Sequence, residues 1–171
     1  MNSLILTFPR CGSFYLQQLV HQNSGIMLPK SHIIEDSDKK DLISIIRNPQ
    51  DSIKSMISME MHYNKDYRFD LKDIEKHYIE MNDYLTNNNA LLIRYEDLLD
   101  KPEEVTKKVC RFLGKEILSV NYVSVLKDLK EYNHLVSSKD SKSYLLVDIK
   151  KEDLVDANKS YFKALEKCIN V

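Results

Sequence analysis

The chain has 171 residues, 43% of them hydrophobic and 30% charged, enough to close one core and to exclude a disordered or fibrous protein. Lys and Arg total 25 against 26 Asp and Glu; the net charge of −1 excludes nucleic-acid binding by bulk electrostatics and leaves any anion to a few placed cations. Cys11, Cys110 and Cys168 are far apart with no CxxC pair, which argues against a disulfide framework or a structural zinc site.

In chain order, Ser3 to Phe8 reads as a short buried strand stopped by Pro9, and Cys11-Gly12-Ser13 as a tight turn. Leu16, Leu19 and Val20 then recur at helical spacing, giving strand, loop and helix in succession. Lys30 to Ile34 is a short extended candidate, and Asp41 to Ile46 a second buried strand rich in β-branched residues. Asn48 is placed to cap the next helix, with Pro49 at its first position and Asp51 completing a capping box; that helix should reach about Met61.

Leu71, Ile74, Tyr78, Met81 and Leu85 step by three and four, an amphipathic helix ended by Asn87-Asn88-Asn89. Ala90 to Arg94 is a third strand. Pro102 opens a helix with Val105, Val109, Phe112 and Leu113 on its apolar face and Gly114 at its close. A short helix is expected from Tyr122 to Leu129, a polar loop through Leu135 to Lys142, and a terminal helix carrying Leu154, Val155, Tyr161, Phe162, Leu165, Cys168 and Ile169, with Tyr161 and Phe162 in the core. Strands alternating with helices predict one α/β domain over residues 1–171, with a central parallel sheet covered on both faces in three α/β/α layers. No apolar run approaches the roughly 20 residues that span a bilayer, and MNSLILTFPR lacks a basic stretch before a long apolar one; a cytoplasmic protein without a membrane partner is expected.

Three strand ends carry chemistry. The loop after the first strand aims backbone amides and a helix N-terminus at one point, and Arg10 adds a planar donor fork, a combination that favours an anion. An ordinary strand–helix turn with an exposed arginine is the plainer reading of that loop. Arg47 ends a strand and Ser55 lies eight residues on, about two turns into the next helix, where the pair could hold a second anion. Arg94-Tyr95-Glu96-Asp97 ends the third strand. The phosphate-loop pattern GxxxxGK[ST] is absent, which counts against a small-molecule kinase. His21, His62, His77 and His134 lack ligand spacing and are expected at the surface. Cys11 stands at a helix N-terminus beside Arg10, a setting that lowers a thiol pKa, but it is given no nucleophilic role.

From about residue 4 to 169 the chain resembles the sulfotransferases that use 3′-phosphoadenosine 5′-phosphosulfate (PAPS). Phe8-Pro9-Arg10-Cys11-Gly12-Ser13-Phe14-Tyr15-Leu16 is similar to the family's 5′-phosphosulfate loop, YPKSGTTWL, and Arg47-Asn48-Pro49-Gln50-Asp51 through Ser55 to its 3′-phosphate motif, RNPKDxxxS. Lys30-Ser31-His32 resembles the KTH segment of cytosolic members, and Tyr95-Glu96-Asp97-Leu98, Pro102 and Phe112-Leu113-Gly114 resemble YEDL…P…FLG. The resemblance implies a P-loop-like sulfotransferase architecture and transfer of a sulfuryl group to an alcohol, phenol or sugar hydroxyl, leaving adenosine 3′,5′-bisphosphate, with no metal.

By the same resemblance Arg10, Cys11, Gly12, Ser13 and Phe14 form the 5′-phosphosulfate loop, and Arg47 with Ser55 holds the 3′-phosphate. Tyr15 stacks on adenine and Tyr95 borders the nucleotide. His32 is the implied general base, with Glu35 or Asp36 in reserve, and Arg10 and Lys30 stabilise charge at the sulfuryl group. Arg10 stands where cytosolic members have Lys, Phe14 replaces a Thr, and the C-terminal RKGxxGDWK stretch is missing, with Ser137 to Lys142 as its candidate substitute. The excised parts normally enclose the acceptor. A module that binds the bisphosphate without turnover is the alternative, and a homo-oligomer stays open.

Overall fold

The computed structural model describes residues 3–38, 41–118 and 147–168. Four parallel strands form the sheet: β1 (Ser3–Leu6), β2 (Lys30–Ser31), β3 (Asp41–Ile46) and β4 (Leu91–Arg94), in the order β2-β1-β3-β4. Ile5 faces Lys30 on one side and Ile43 on the other, and Ile46 faces Arg94. All four residues of β1 are buried, as are Leu42 to Ile46 of β3, because helices cover both faces of the sheet.

The connections explain the two helical layers. The chain leaves β1 through α1 (Ser13–Ser24) and reaches β2 on one flank; it leaves β3 through α2 (Pro49–Tyr63) and α3 (Leu71–Asn87) and reaches β4 on the other. Right-handed crossovers running in opposite directions put their helices on opposite faces. A short α4 (Tyr95–Asp100) follows β4, α5 (Pro102–Phe112) packs against α1, and α6 (Val155–Lys167) packs against α3. The start of α6 is held by Glu75 of α3, whose Oε1 accepts from the Ala157 amide at 3.0 Å. Among the described residues no helix is long and apolar enough to cross a membrane.

Several expectations need correction. The extended stretch after Pro29 pairs only at Lys30–Ser31, and Ile34–Ser37 turns into a 3-10 helix. Helix α4 begins directly at Tyr95, where the sequence suggested only a strand end. Phe112 and Phe162 are exposed; Thr106 and Cys110 complete the buried face of α5, and Ala157, Tyr161 and Ala164 that of α6. His77 is half-buried, its ring 5.6 Å from that of Phe8, and His21 is also half-buried. The helix expected at Tyr122 to Leu129, the loop around Leu135 to Lys142, His134 and Ile169 lie outside the described residues.

Candidate active site

The strand order creates a topological switch point. From β1 the chain turns towards β2, while from β3 it turns towards β4, so the loops after the two inner strands diverge and leave a crevice at their carboxyl ends. The first of these loops contains Arg10, at φ 66, and Gly12, at φ 95. Two left-handed residues flanking Cys11 coil the backbone into a concave turn of the kind whose amides gather on one side. Gly12 is also close to α4: a Cβ there would meet the Tyr95 ring at 3.1 Å.

The two helices that open on the crevice differ at their N-termini. Asn48 caps α2, its side chain accepting from the Gln50 amide at 2.9 Å and the Asp51 amide at 3.4 Å, with Pro49 inside the first turn. Gly12 precedes α1 and brings no side chain to cap it. The dipole and first-turn amides of α1 therefore face the loop without an internal carboxylate or hydroxyl in the capping position.

Both arginines meet here. Arg47 Nη1 donates to the Arg10 carbonyl oxygen at 2.7 Å, and its guanidinium carbon lies 4.3 Å from the centroid of the Tyr95 ring. The register explains the second contact, since Ile46 pairs with Arg94 and the next residue of each strand leaves the sheet together. The Arg47 carbonyl accepts from the Tyr78 hydroxyl at 2.6 Å, which fastens α3 to the same strand end. The Arg47 Nε is buried and has no hydrogen-bond partner among the described residues. Arg10 reaches across to α2, its Nε donating to Ser55 Oγ at 3.1 Å and its Nη1 lying 3.6 Å from Met59 Sδ.

His32 follows β2. Its Nδ1 is 2.7 Å from the Thr7 carbonyl oxygen, an acceptor only, so this nitrogen carries the proton and Nε2 keeps its lone pair. Thr7 is itself fixed, its hydroxyl donating to the Ile45 carbonyl at 2.9 Å. Burial lowers the His32 pKa; the Thr7 bond pulls the other way, and the charges of Lys30, His77 and Arg10 lower it further. Lys30 Nζ lies 5.5 Å from the centre of the Phe14 ring, a cation–π pairing at the mouth of α1. Glu35 and Asp36 are exposed on the 3-10 turn, and Asp36 accepts from the Ser31 hydroxyl.

The structure thus brings Arg10, Arg47, Ser55 and Tyr95 into one connected group, with His32 on the neighbouring strand end. The Cys11 and Tyr15 side chains are turned inward. Burial pushes the Cys11 thiol up to about 11, the reverse of the lowering expected for a helix N-terminus, because the buried sulfur is desolvated more than its hydrogen bond with Thr7 and the charge of Arg47 repay. Tyr15 is 7% exposed and its hydroxyl is buried with no partner among the described residues, so its ring lies in the core rather than standing on an open face. Ser13 is buried at the start of α1. Sequence reasoning missed Thr7, Tyr78 and His77. Thr7 was visible as a polar residue in an apolar strand; the other two sit on a helix whose neighbours only the packing reveals.

A model described as Sulfotransferase family matches residues 38–118, a stretch that contains Arg47, Ser55 and Tyr95 and begins after the β1 loop and His32. No curated protein matches the chain. Among solved structures, mouse sulfotransferase SULT7A1 complexed with PAP is similar at 16% identity, over 97% of this chain and 82% of that one, with a TM-score of 0.44.

Proposed function

We infer that this chain, which a sulfotransferase-family model matches over residues 38–118, moves a sulfuryl group from PAPS to the hydroxyl of a small molecule or carbohydrate. The observation carrying this reading is the 2.7 Å bond from Arg47 to the Arg10 carbonyl, which makes the loops after β1 and β3 two walls of a single cationic crevice. PAPS carries about four negative charges, and a chain of net charge −1 must meet them with local cations and amides.

In this arrangement the loop from Arg10 to Phe14, with the first-turn amides of α1, receives the 5′ end of the nucleotide, and Ser55 and Arg47 lie towards the 3′ end. Tyr95, already stacked on Arg47, borders the nucleotide. The buried Arg47 Nε and the uncapped α1 are donors that suit an anionic ligand. His32 Nε2 accepts the proton of the acceptor hydroxyl as its oxygen bonds to sulfur; the bond from sulfur to the bridging oxygen breaks, and the electron pair leaves with adenosine 3′,5′-bisphosphate. Lys30, beside Phe14, is the cation placed to offset the charge growing on the bridging oxygen. Such a transfer depends mainly on positioning and charge stabilisation, as phosphoryl transfer does.

The test is incubation of the full chain with sulfur-labelled PAPS and a panel of alcohols, phenols and sugars. Label appearing on an acceptor with release of the bisphosphate is the expected result. Tight bisphosphate binding with no transfer to any acceptor would leave a binding module in place of an enzyme.

A further inference from the structure

We propose, resting on the transfer reading above, that His77 receives a second hydroxyl of the acceptor while His32 takes the proton of the reacting one. The site then favours acceptors bearing two neighbouring hydroxyls over those bearing one. Two imidazoles are fixed to consecutive residues just beyond β1. His32 comes from the β2 side and meets the Thr7 carbonyl oxygen through Nδ1 at 2.7 Å. His77 comes from α3, its ring 5.6 Å from that of Phe8 at an interplanar angle of 47°.

Both supports are immobilised. Thr7 is wholly buried, and its hydroxyl donates to the Ile45 carbonyl at 2.9 Å. Phe8 is 1% exposed, and its ring also meets the Tyr78 ring edge-on at 5.1 Å. The separation of the two imidazoles is therefore set by a strand end and a packed aromatic. They are near enough to act on each other, since the charge of His77 reaches His32 together with those of Lys30 and Arg10.

Hydrogen-bond chemistry shows what each ring can still do. His32 uses Nδ1 on Thr7 and turns one nitrogen outward, enough for one hydroxyl. His77 is half-buried, yet its nitrogens hydrogen-bond to none of the described residues, and neither is shut away from solvent. A histidine kept only for packing would turn its nitrogens to a protein partner or be replaced by an apolar ring. Here the Phe8 contact holds the ring and leaves its polar edge open. A neutral imidazole has one N–H and one lone pair, the complement of a hydroxyl, which both donates and accepts.

Matched acceptors test this: catechol against phenol, and cis-1,2-cyclohexanediol against cyclohexanol. Each is given to the full chain with sulfur-labelled PAPS at pH 8, above the ordinary histidine range. Expressed per hydroxyl, kcat/KM should favour each diol by about 3–10-fold, the effect of one neutral hydrogen bond. His77→Phe keeps an aromatic ring against Phe8 and removes both hydrogen-bonding atoms. It should bring each ratio down to about one, through a higher KM for the diol. His77→Gln supplies a donor and an acceptor without the ring, and should retain most of the preference, which a packing role would not. A wild-type chain that treats diol and single alcohol alike overturns the assignment. So does a His77→Phe variant that slows both acceptors equally or leaves the ratio unchanged. No label on any acceptor, in these pairs or in the wider panel, would instead refute the transfer reading on which this rests.

Discussion

His32 is held on the low side of the ordinary histidine range by its burial, with Lys30, His77 and Arg10 adding to the effect and the Thr7 carbonyl opposing it. The neutral imidazole is the working form of a base, so transfer should be undiminished at pH 7 and fall only as pH drops through a pKa below about 6.5. The same displacement acts on stability. A folded-state pKa below the unfolded one favours the native state fully above the unfolded value, and this contribution is lost as pH falls through the folded value. His32→Ala should spare bisphosphate binding, reduce turnover by about 10²–10⁴-fold and abolish the acid limb of the rate profile. A variant that keeps full turnover would move the base elsewhere, with Glu35 next in position on its exposed turn. The imidazole was legible from the sequence as a strand-end histidine; its tautomer was not, because the carbonyl that sets it belongs to a residue 25 positions earlier.

At the level of elements, the site depends on how each helix begins. Helix α2 arrives with its own cap, and its first turn is satisfied from within by Asn48. Helix α1 arrives without one, behind a glycine at φ 95, and its first-turn amides face the crevice without a side-chain cap. Helix α3 serves as a brace: Tyr78 is 1% exposed and its hydroxyl holds the Arg47 carbonyl at the end of β3. Tyr78→Phe leaves that carbonyl without this donor and should lower unfolding stability by about 1–3 kcal/mol, measurable by urea denaturation. Nucleotide affinity should fall with it, because Arg47 loses its anchorage; an unchanged affinity would show that α3 only packs. The apolar periodicity of α3 marked Tyr78 as core. It could not reveal that the hydroxyl at the far end of that side chain reaches the crevice.

Across the whole molecule, what could be read in advance were features that repeat along the chain. β3 appears where its β-branched run predicted, α3 ends at the asparagines, and α2 starts at Asn48-Pro49. Local signals failed where tertiary packing decides, as with Phe112 and Phe162, which an apolar tally places inside and the structure leaves outside. They failed again where burial overrides a local dipole, as at Cys11. The family resemblance located the arginines, while the link between them depends on strand order, which no linear spacing encodes.

That strand order has a consequence for heat tolerance. The two loops of the crevice spring from β1 and β3, the inner pair of the sheet, so an occupant bridging them fastens together the strands that must part when the domain melts. At a nucleotide concentration about 100 times its dissociation constant, the folded state gains about 2.7 kcal/mol. For a chain of this size the melting temperature should then climb by about 5–10 °C. A thermal scan with and without adenosine 3′,5′-bisphosphate would read occupancy before any acceptor is known, and a flat response at saturating nucleotide would place the occupant elsewhere.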